Sequence, residues 1–532
     1  MKKLFPLFLL AFCFSLAQAQ TPNQYQPYSF DYYQKLNDKV YDNGTRFHSA
    51  IKPYFKDDSI LKSAVDSFQN IGLDTLKRSW VHRKVLSEHL IDIKKDEYTF
   101  YADYLPDLQI GSDSQAGTTW LNTRGYQVGG TIGSKFSFYT SGFENQALFP
   151  AYYRAYVDAN GIIPGQVNDK FGPSRTTKDW AYATAVLSYT PTKYLNVTLG
   201  QDKNFIGDGY RSILLSDVSS TYPFLKLTAE LGRVKYMAMW AQFQDLKSPQ
   251  FSYDNGYRKK WGAFHYVDWN VNNKLSLGFF DAIIWQDADS TGKRGFDFSY
   301  VNPFIFLRPI EGQNGSPDNA LIGFNAKYEA FKNLTVYGQA LLDEFTAKEV
   351  FAGNGYWANK FAYQLGIKGF DAFSIKRLNY LLEFNTARPY TYSQRNSLLN
   401  YGHYNQPLAH PIGANFREFV SIWSYSYKRF ELIGKINLAQ YGLDGFGDNF
   451  GKDIYKPYNT RNSNYNNKTA QGIKTDFSFL QGKISYLINP KYNLRFELAA
   501  SSRAEQNVLS DNRSHQITFG LRSSFRNLYD DF

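Results

Sequence analysis

The sequence predicts an all-β chain closed into a transmembrane antiparallel β-barrel of about eighteen strands, with a small helical segment before it. Three observations carry that expectation. Aromatic residues make up 18% of the chain while the mean hydropathy is −0.46. Segments of about ten residues alternate strictly between apolar and polar, as tilted membrane strands do. Very short connections take turns with long ones rich in Gly, Asn, Ser, Asp and Tyr. In a transmembrane barrel only alternate residues meet lipid, so the average stays polar while aromatics gather at the two interfaces.

The front end reads as an export leader. Lys2 and Lys3 precede an apolar core from Leu4 to Leu16, and Ala17-Gln18-Ala19 is a small-residue cleavage pattern. Residues 1–19 are therefore expected to be a signal peptide. The flanks of Cys13 do not suit lipid attachment, and it is the single cysteine of the chain. The formal charge of +11 becomes +9 without Lys2 and Lys3. That surplus favours acidic partners such as lipopolysaccharide or acidic glycans. No lysine–arginine block suggests nucleic acid.

Residues 20–95 are expected to form a partly helical periplasmic segment. In "DSILKSAVDSFQNIG" the residues Ile60, Leu61, Ala64, Val65 and Phe68 recur at helical spacing, with Asp58 or Ser59 to cap the start and Gly72 after the end. "DTLKRSWVHRKVLSEHLIDI" reads as a weaker helix or a helix followed by a strand. This segment reads as a plug, a docking module or a cover for the barrel end. "DSI" at 58–60 and "DTL" at 74–76 resemble a short O-glycosylation signal and serve equally as helix caps.

Residues 96–532 are expected to be the barrel. In "FELIGKINLAQY" Phe430, Leu432, Gly434, Ile436 and Leu438 oppose Glu431, Lys435 and Asn437. "LTVYGQALLDEF", "LNYLLEFNTA", "YNLRFELAAS" and the closing "HQITFGLRSSF" alternate in the same way. Strand starts are predicted near 97, 124, 134, 181, 194, 223, 234, 259, 274, 320, 333, 360, 378, 417, 430, 474, 491 and 514. An even count puts both termini at the periplasmic end. Long connections are expected at roughly 112–123, 145–180, 203–222, 246–258, 287–319, 346–359, 389–416, 442–473 and 503–513. "RGFDFSYVNPFIFLRP" (294–309) carries Pro303 and Pro309, which argue against a central strand. It is expected to be part of a long loop folding into the barrel mouth. Phe532 is out of phase with Ile517–Phe525 and so lies past the wall strand or after a bulge.

The residues that could carry chemistry point away from catalysis. Asp343 and Glu344 are neighbours in a strand and face opposite ways, so they form no acid–base pair. "GDG" at 207–209 has the shape of a turn, with no helix behind it to bind phosphate. His403 and His410 share one loop and read as surface residues rather than metal ligands. No enzyme, metal or cofactor is expected. Residues placed in the lumen include Asp202, Lys327, Glu329, Asp343, Glu383, Glu431, Lys435, Arg495, Glu497 and Arg522. Their mixed signs suit an internal network or a narrow wet passage better than an ion-selective ring. The loops "FPAYYRAY", "NGYWANKF", "RPYTYSQRNSLLNYGHYNQP" and "KPYNTRNSNYNN" combine flat aromatics with amides, which suits sugar rings.

At "LGQDKNFIGDGYRSILLSDVSSTYPFLKL" the chain resembles the Wzi family of capsule-assembly outer-membrane barrels, in particular relatives from the Bacteroidetes that include the gliding-motility protein RemB. The resemblance rests on Gly200, Asp202, Gly207, Gly209, Ser212, Leu214, Leu215, Ser216 and Pro223, and extends diffusely over roughly 95–532 through segments such as "YVNPFIFLRP", "RPYTYS" and "LAHPIGANFREF". It implies an eighteen-stranded barrel in the cell outer membrane, with a periplasmic helical part, that helps hold exported polysaccharide at the surface. From the family-like segment and the lumen, the binding candidates are Asp202, Gly207, Gly209, Arg211, Ser212, Ser216, Asp343 and Arg388. The expected role is non-enzymatic, in organising surface polysaccharide or in gliding motility, and the alternative is a porin-like transport channel. The expected partners are membrane lipid, lipopolysaccharide and a surface polysaccharide or adhesin, with the barrel itself monomeric.

Overall fold

The structure is a computed structural model that describes residues 24–42, 44–55, 59–72, 78–251, 256–302, 307–315, 318–523 and 525–532. The expected leader, the "DTL" stretch, Asp58 and Pro303 lie outside the described residues.

Eighteen strands close into one antiparallel barrel. In chain order they are β1 Tyr98–Asp113, β2 Gly117–Ile132, β3 Phe136–Leu148, β4 Lys178–Thr192, β5 Leu195–Asp202, β6 Tyr222–Leu231, β7 Val234–Asp245, β8 Arg258–Asn270 and β9 Leu275–Gln286. They continue with β10 Asn319–Phe331, β11 Leu334–Glu344, β12 Lys360–Gly369, β13 Leu378–Ala387, β14 Phe416–Tyr427, β15 Phe430–Leu443, β16 Ile473–Asn489, β17 Leu494–Gln506 and β18 Asp511–Ser523. Each strand pairs with its chain neighbours. β18 closes on β1 through Thr518↔Gly111 and Arg522↔Asp107. The two-residue period sorts the side chains. On β15, Phe430, Leu432, Ile436 and Leu438 are 53%, 44%, 40% and 47% exposed on the outside, so no second sheet covers them. Glu431 and Lys435, between them, point inward to ion-pair partners. The expected strand starts lie within three residues of the observed ones, except that β2 begins at Gly117 rather than near 124.

Two of the expected long loops are tight turns. β1 and β2 are joined through 114–116, and β17 and β18 through 507–510. The Ser, Thr, Asp and Arg residues read as loop are strand ends, still in register as Ser112↔Thr118 and Ala504↔Arg513. Ladder hydrogen bonds hold them extended although both faces are polar. Ile91–Lys94 pairs with β1 at Phe100 and Ala102, below the reach of β18, and so covers the edge that the stagger of the barrel leaves open.

Among the described residues, four segments fill the lumen. From the short-turn end come residues 24–42 and 44–55, where Ile51–Lys52 pairs with Phe205–Ile206 as a two-stranded sheet. The connection 203–221 after the short β5 turns inward and is buried throughout. The connection 388–415 lies over it, with Tyr392 and Tyr401 donating their hydroxyls to the Ile213 and Leu214 carbonyls at 2.8 and 2.6 Å. Residues 525–532 turn back into the lumen after β18. Phe532 therefore lies past the wall strand, packed against Tyr152, Tyr153 and Tyr156 of the helix Ala151–Asn160. The helical reading of the front segment is met by Ser59–Gln69, and the second stretch is the helix Trp80–Leu86 followed by the strand Ile91–Lys94. Arg429 staples these helices to the rim. Its guanidinium donates to the carbonyls of Ile488, Gly72 and Leu86 at 2.6, 3.0 and 3.3 Å.

The described residues of the connection after β9, 287–302 and 307–315, do not enter the barrel mouth. They lie as a strap on the outer wall of β7–β10. Ala238, Trp240, Ala263, Ile283, Trp285 and Ala320 alternate with lumen residues such as Met239 and Phe264, so they face outward, yet they are buried beneath Tyr300 and Leu307. Three alanines recess the wall there. The indoles of Trp240, Trp261 and Trp285 donate to Tyr300 O, Asp287 and Gly295 O. Aromatic and proline content alone did not reveal on which side of the wall the segment would lie.

Candidate functional site

The inserted loop 203–221 is held by charge. The Arg211 side chain, 1% exposed, sits 3.1 Å from both Glu418 and Asp531. Glu418 also receives His410 Nε2 at 2.7 Å, Asn437 at 2.8 Å and Asn385 at 3.0 Å. Glu383 accepts the backbone N–H groups of Tyr210 and Arg211 at 2.9 and 3.0 Å and the Tyr337 hydroxyl at 2.8 Å. Two residues before Tyr210, Asp208 takes the hydroxyls of Ser49 and Tyr41 at 2.6 and 2.8 Å. Burial alone would raise its carboxyl, but the Lys327, Lys52 and Lys368 ammonium groups outweigh that and hold it at about 2. Each of the charges just named meets a counter-charge or a set of donors, which is what burial demands.

Seven of the eight sequence-derived candidates belong to this interior. Asp202 accepts the Tyr25 hydroxyl at 2.5 Å. Gly207, at φ +143°, and Gly209 let the backbone pass against Gln339 and Glu383, where a Cβ would collide. Ser212 donates to Ile206 O at 2.6 Å, and the Ser216 N–H donates to Leu408 O at 2.8 Å. Asp343 accepts the Tyr392 N–H at 2.7 Å and lies 3.2 Å from Lys360. Arg388 is different. It stands half-buried at the long-loop end, with its guanidinium over the Phe361 ring and a hydrogen bond to the Tyr356 carbonyl at 3.4 Å.

His403 and His410, expected at the surface, are both buried. His403 Nδ1 accepts the Gln244 N–H at 3.0 Å, so Nε2 carries the proton and donates to Thr221 O at 3.1 Å. Burial pushes its pKa down to about 3. The folded value lies below the ordinary 6.5, so neutral His403 contributes its stability in full above about pH 6.5. That contribution is lost as the pH falls from 6.5 toward 3. Limited proteolysis of the 388–415 loop is expected to accelerate below about pH 6, with barrel stability falling by roughly 1.4 kcal/mol per pH unit. His403→Asn is expected to flatten that slope. Among the described residues no group of three His, Cys, Asp or Glu side chains could hold a metal.

The four aromatic loops divide. "FPAYYRAY" and "RPYTYSQRNSLLNYGHYNQP" turn their tyrosines inward, onto Phe532 and the 203–221 loop. "NGYWANKF" and "KPYNTRNSNYNN" meet at the long-loop end. Asn466 N donates to Asn354 O and Trp357 N to Asn464 O, both at 2.9 Å, zipping the two loops together. Tyr356 packs on Tyr465 at 5.3 Å, Trp357 on Tyr458 at 4.7 Å, and the Arg461 guanidinium lies 4.0 Å over Trp357. Asn462, Ser463, Asn464 and Tyr465 are exposed around these rings. Aromatic faces are thus bordered by amides, a hydroxyl and a cation, on a surface with Arg388 at its margin. Sequence reasoning named the loops, but not their pairing or the interior roles of Glu418 and Asp531.

No protein-family model matches the chain, and no curated protein sequence matches it. Among solved structures the fold is similar to Wzi of Escherichia coli, an outer-membrane protein involved in group 1 capsule assembly and described as a carbohydrate-binding β-barrel. The TM-score is 0.54 at 12% identity, over 94% of this chain and 99% of Wzi. Weaker likenesses are to Pseudomonas aeruginosa OprD (TM-score 0.42, 9% identity, 79% of this chain and 94% of that one) and to P. aeruginosa OpdK with vanillate (0.43, 9%, 80% and 98%). The likeness to Wzi is one of fold, and the two Pseudomonas barrels carry no argument about function.

Proposed function

We propose that this chain is an outer-membrane barrel, with its short turns and both termini in the periplasm, that holds surface polysaccharide non-covalently at its long-loop end. The observation that carries the reading is the filled lumen beneath a platform in which exposed Tyr465 adjoins the half-buried rings of Tyr356, Trp357 and Tyr458. A channel needs an open cross-section, and here residues 24–42, 44–55, 203–221, 388–415 and 525–532 occupy it. Flat rings beside amides and Arg461 match the apolar faces and hydroxyls of sugars. The fold likeness to a carbohydrate-binding barrel agrees with this. Arg388, at the margin of the platform, is the one sequence-derived candidate placed to touch such a ligand. Capsule retention is the role we favour, by a monomeric barrel among lipopolysaccharide. An adhesin in a motile cell is a second partner that the same platform could serve.

Trp357→Ala is expected to weaken binding of the cell's own surface polysaccharide to the purified barrel about tenfold, or roughly 1.4 kcal/mol. Melting of the wall should change little, because the indole packs on the loop residues Tyr356, Tyr458 and Arg461 and not on a barrel strand. Equal binding by wild type and variant sinks the assignment of the platform. A deletion strain is expected to shed capsule. Loss of surface spreading with capsule intact would move the role to motility, and a steady large conductance in planar bilayers would move it to transport.

A further inference from the structure

We infer that the barrel has a second glycan site at its short-turn end, and that this site selects acidic saccharide chains. The inference rests on the reading of the chain as a polysaccharide-binding barrel. Between the two front helices and the rim of β13–β17 lies a cleft of about 1260 Å³. Pockets for small ligands are typically about 300–1,000 Å³, so this one suits several linked sugar residues better than one.

Its charge is one-sided. Eight lysine and arginine side chains line it against three carboxylates. Two of those carboxylates are already engaged, Glu431 by Lys35 and Glu88 by Lys84 and Arg83, and of the cations Arg495 is engaged by Glu497 and Arg429 by three carbonyls. Arg377 and Lys428 stand exposed on neighbouring rim turns and make no ion pair among the described residues. Between the cations sit short hydroxyl and amide groups, among them Ser424, Ser426 and Asn379, and the ring of Tyr486. Cations for carboxylates, hydroxyls for hydroxyls and a ring for a sugar face together match a uronic-acid chain. An acidic peptide would use the cations and leave the rest idle. The site faces the end opposite the platform, so it would meet saccharide chains on the periplasmic side while the platform meets those at the surface.

The test uses the full barrel in detergent and a fluorescent hexagalacturonate, with maltohexaose and hexaglutamate as competitors. Hexagalacturonate is expected to bind with an affinity that falls as salt rises, and neither competitor should displace it at equal concentration. Arg377→Ala/Lys428→Ala should weaken it at least tenfold, and Arg377→Lys/Lys428→Arg should restore it. Displacement by maltohexaose overturns the charge selection, and displacement by hexaglutamate overturns the saccharide assignment. Wild-type affinity in the double-alanine variant overturns the site. Failure of the platform reading appears separately, as insensitivity of the native polysaccharide to Trp357→Ala.

Discussion

Arg211→Met is expected to lower the unfolding free energy of the barrel by about 3–5 kcal/mol, the usual range for removing one partner from a buried ionic network. The substitution keeps much of the volume and deletes the charge. It leaves Glu418 and Asp531, both with fully buried side chains, facing each other across the vacated centre. Asp531 still has Lys435 at 3.3 Å, so Glu418 must take up a proton or drag water inward. Arg211 also donates to the backbone carbonyl of Asp531 at 2.9 Å, so the variant loosens residues 525–532 and with them the packing of Phe532. Urea unfolding in micelles should show the loss, and limited proteolysis should release the last residues of the sequence before the wall opens. Arg211→Met with Glu418→Gln should recover most of the stability, since Asp531 keeps the Lys435 ammonium at 3.3 Å and no buried carboxylate is left without a counter-charge. A loss below about 1 kcal/mol for the single variant would mean that the loop is held by its apolar run Ile213–Leu215 and not by the ion network.

The wall was legible in the sequence because its signal is local. A residue on β15 need only differ from its immediate neighbours for the period to show, and lipid imposes that difference on the strands it touches. The inward carboxylates and lysines were legible for the same reason. What lies inside the tube was not, because insertion depends on partners hundreds of residues away. Nothing in "YRSILLSDVSS" announces Glu418, though Ile213, Leu214 and Leu215 in a supposed surface loop hint at burial. The aromatic loops divided for the same reason. Tyr392 and Tyr465 sit in similar sequences, yet one bonds to Ile213 O in the lumen and the other borders solvent. The turns at 114–116 and 507–510 failed differently, because strand ends beyond the apolar band lose their greasy face while keeping their ladder.

Replacing residues 288–315 by a short Asn-Gly turn is expected to destabilise the barrel by about 2–4 kcal/mol, and the source of the loss is the informative part. The strap covers two kinds of outward residue. Ala238, Trp240, Ile283 and Trp285 are apolar, and for them hydrocarbon is nearly as good a neighbour as Tyr300 or Leu307. His265 and Asp281 are not. They lie directly opposite each other in register on β8 and β9, on the outer face and fully buried, and Asp281 accepts the Leu307 N–H from the strap. Uncovered, a carboxylate and an imidazole would meet lipid. His265→Phe/Asp281→Ala in the strap-less barrel should therefore restore stability to within about 1 kcal/mol of the parent, although it adds no strap contact. In a water-facing wall the outcome would be the reverse. The exposed tryptophans would dominate, at roughly 25 cal/mol for each Å² uncovered, and removing the polar pair would only add to the exposed apolar surface. Unfolding of the three proteins in lipid bilayers decides between these. If the double substitution fails to rescue, the strap is a packing element in water, and the band of β7–β10 that it covers lies outside the membrane.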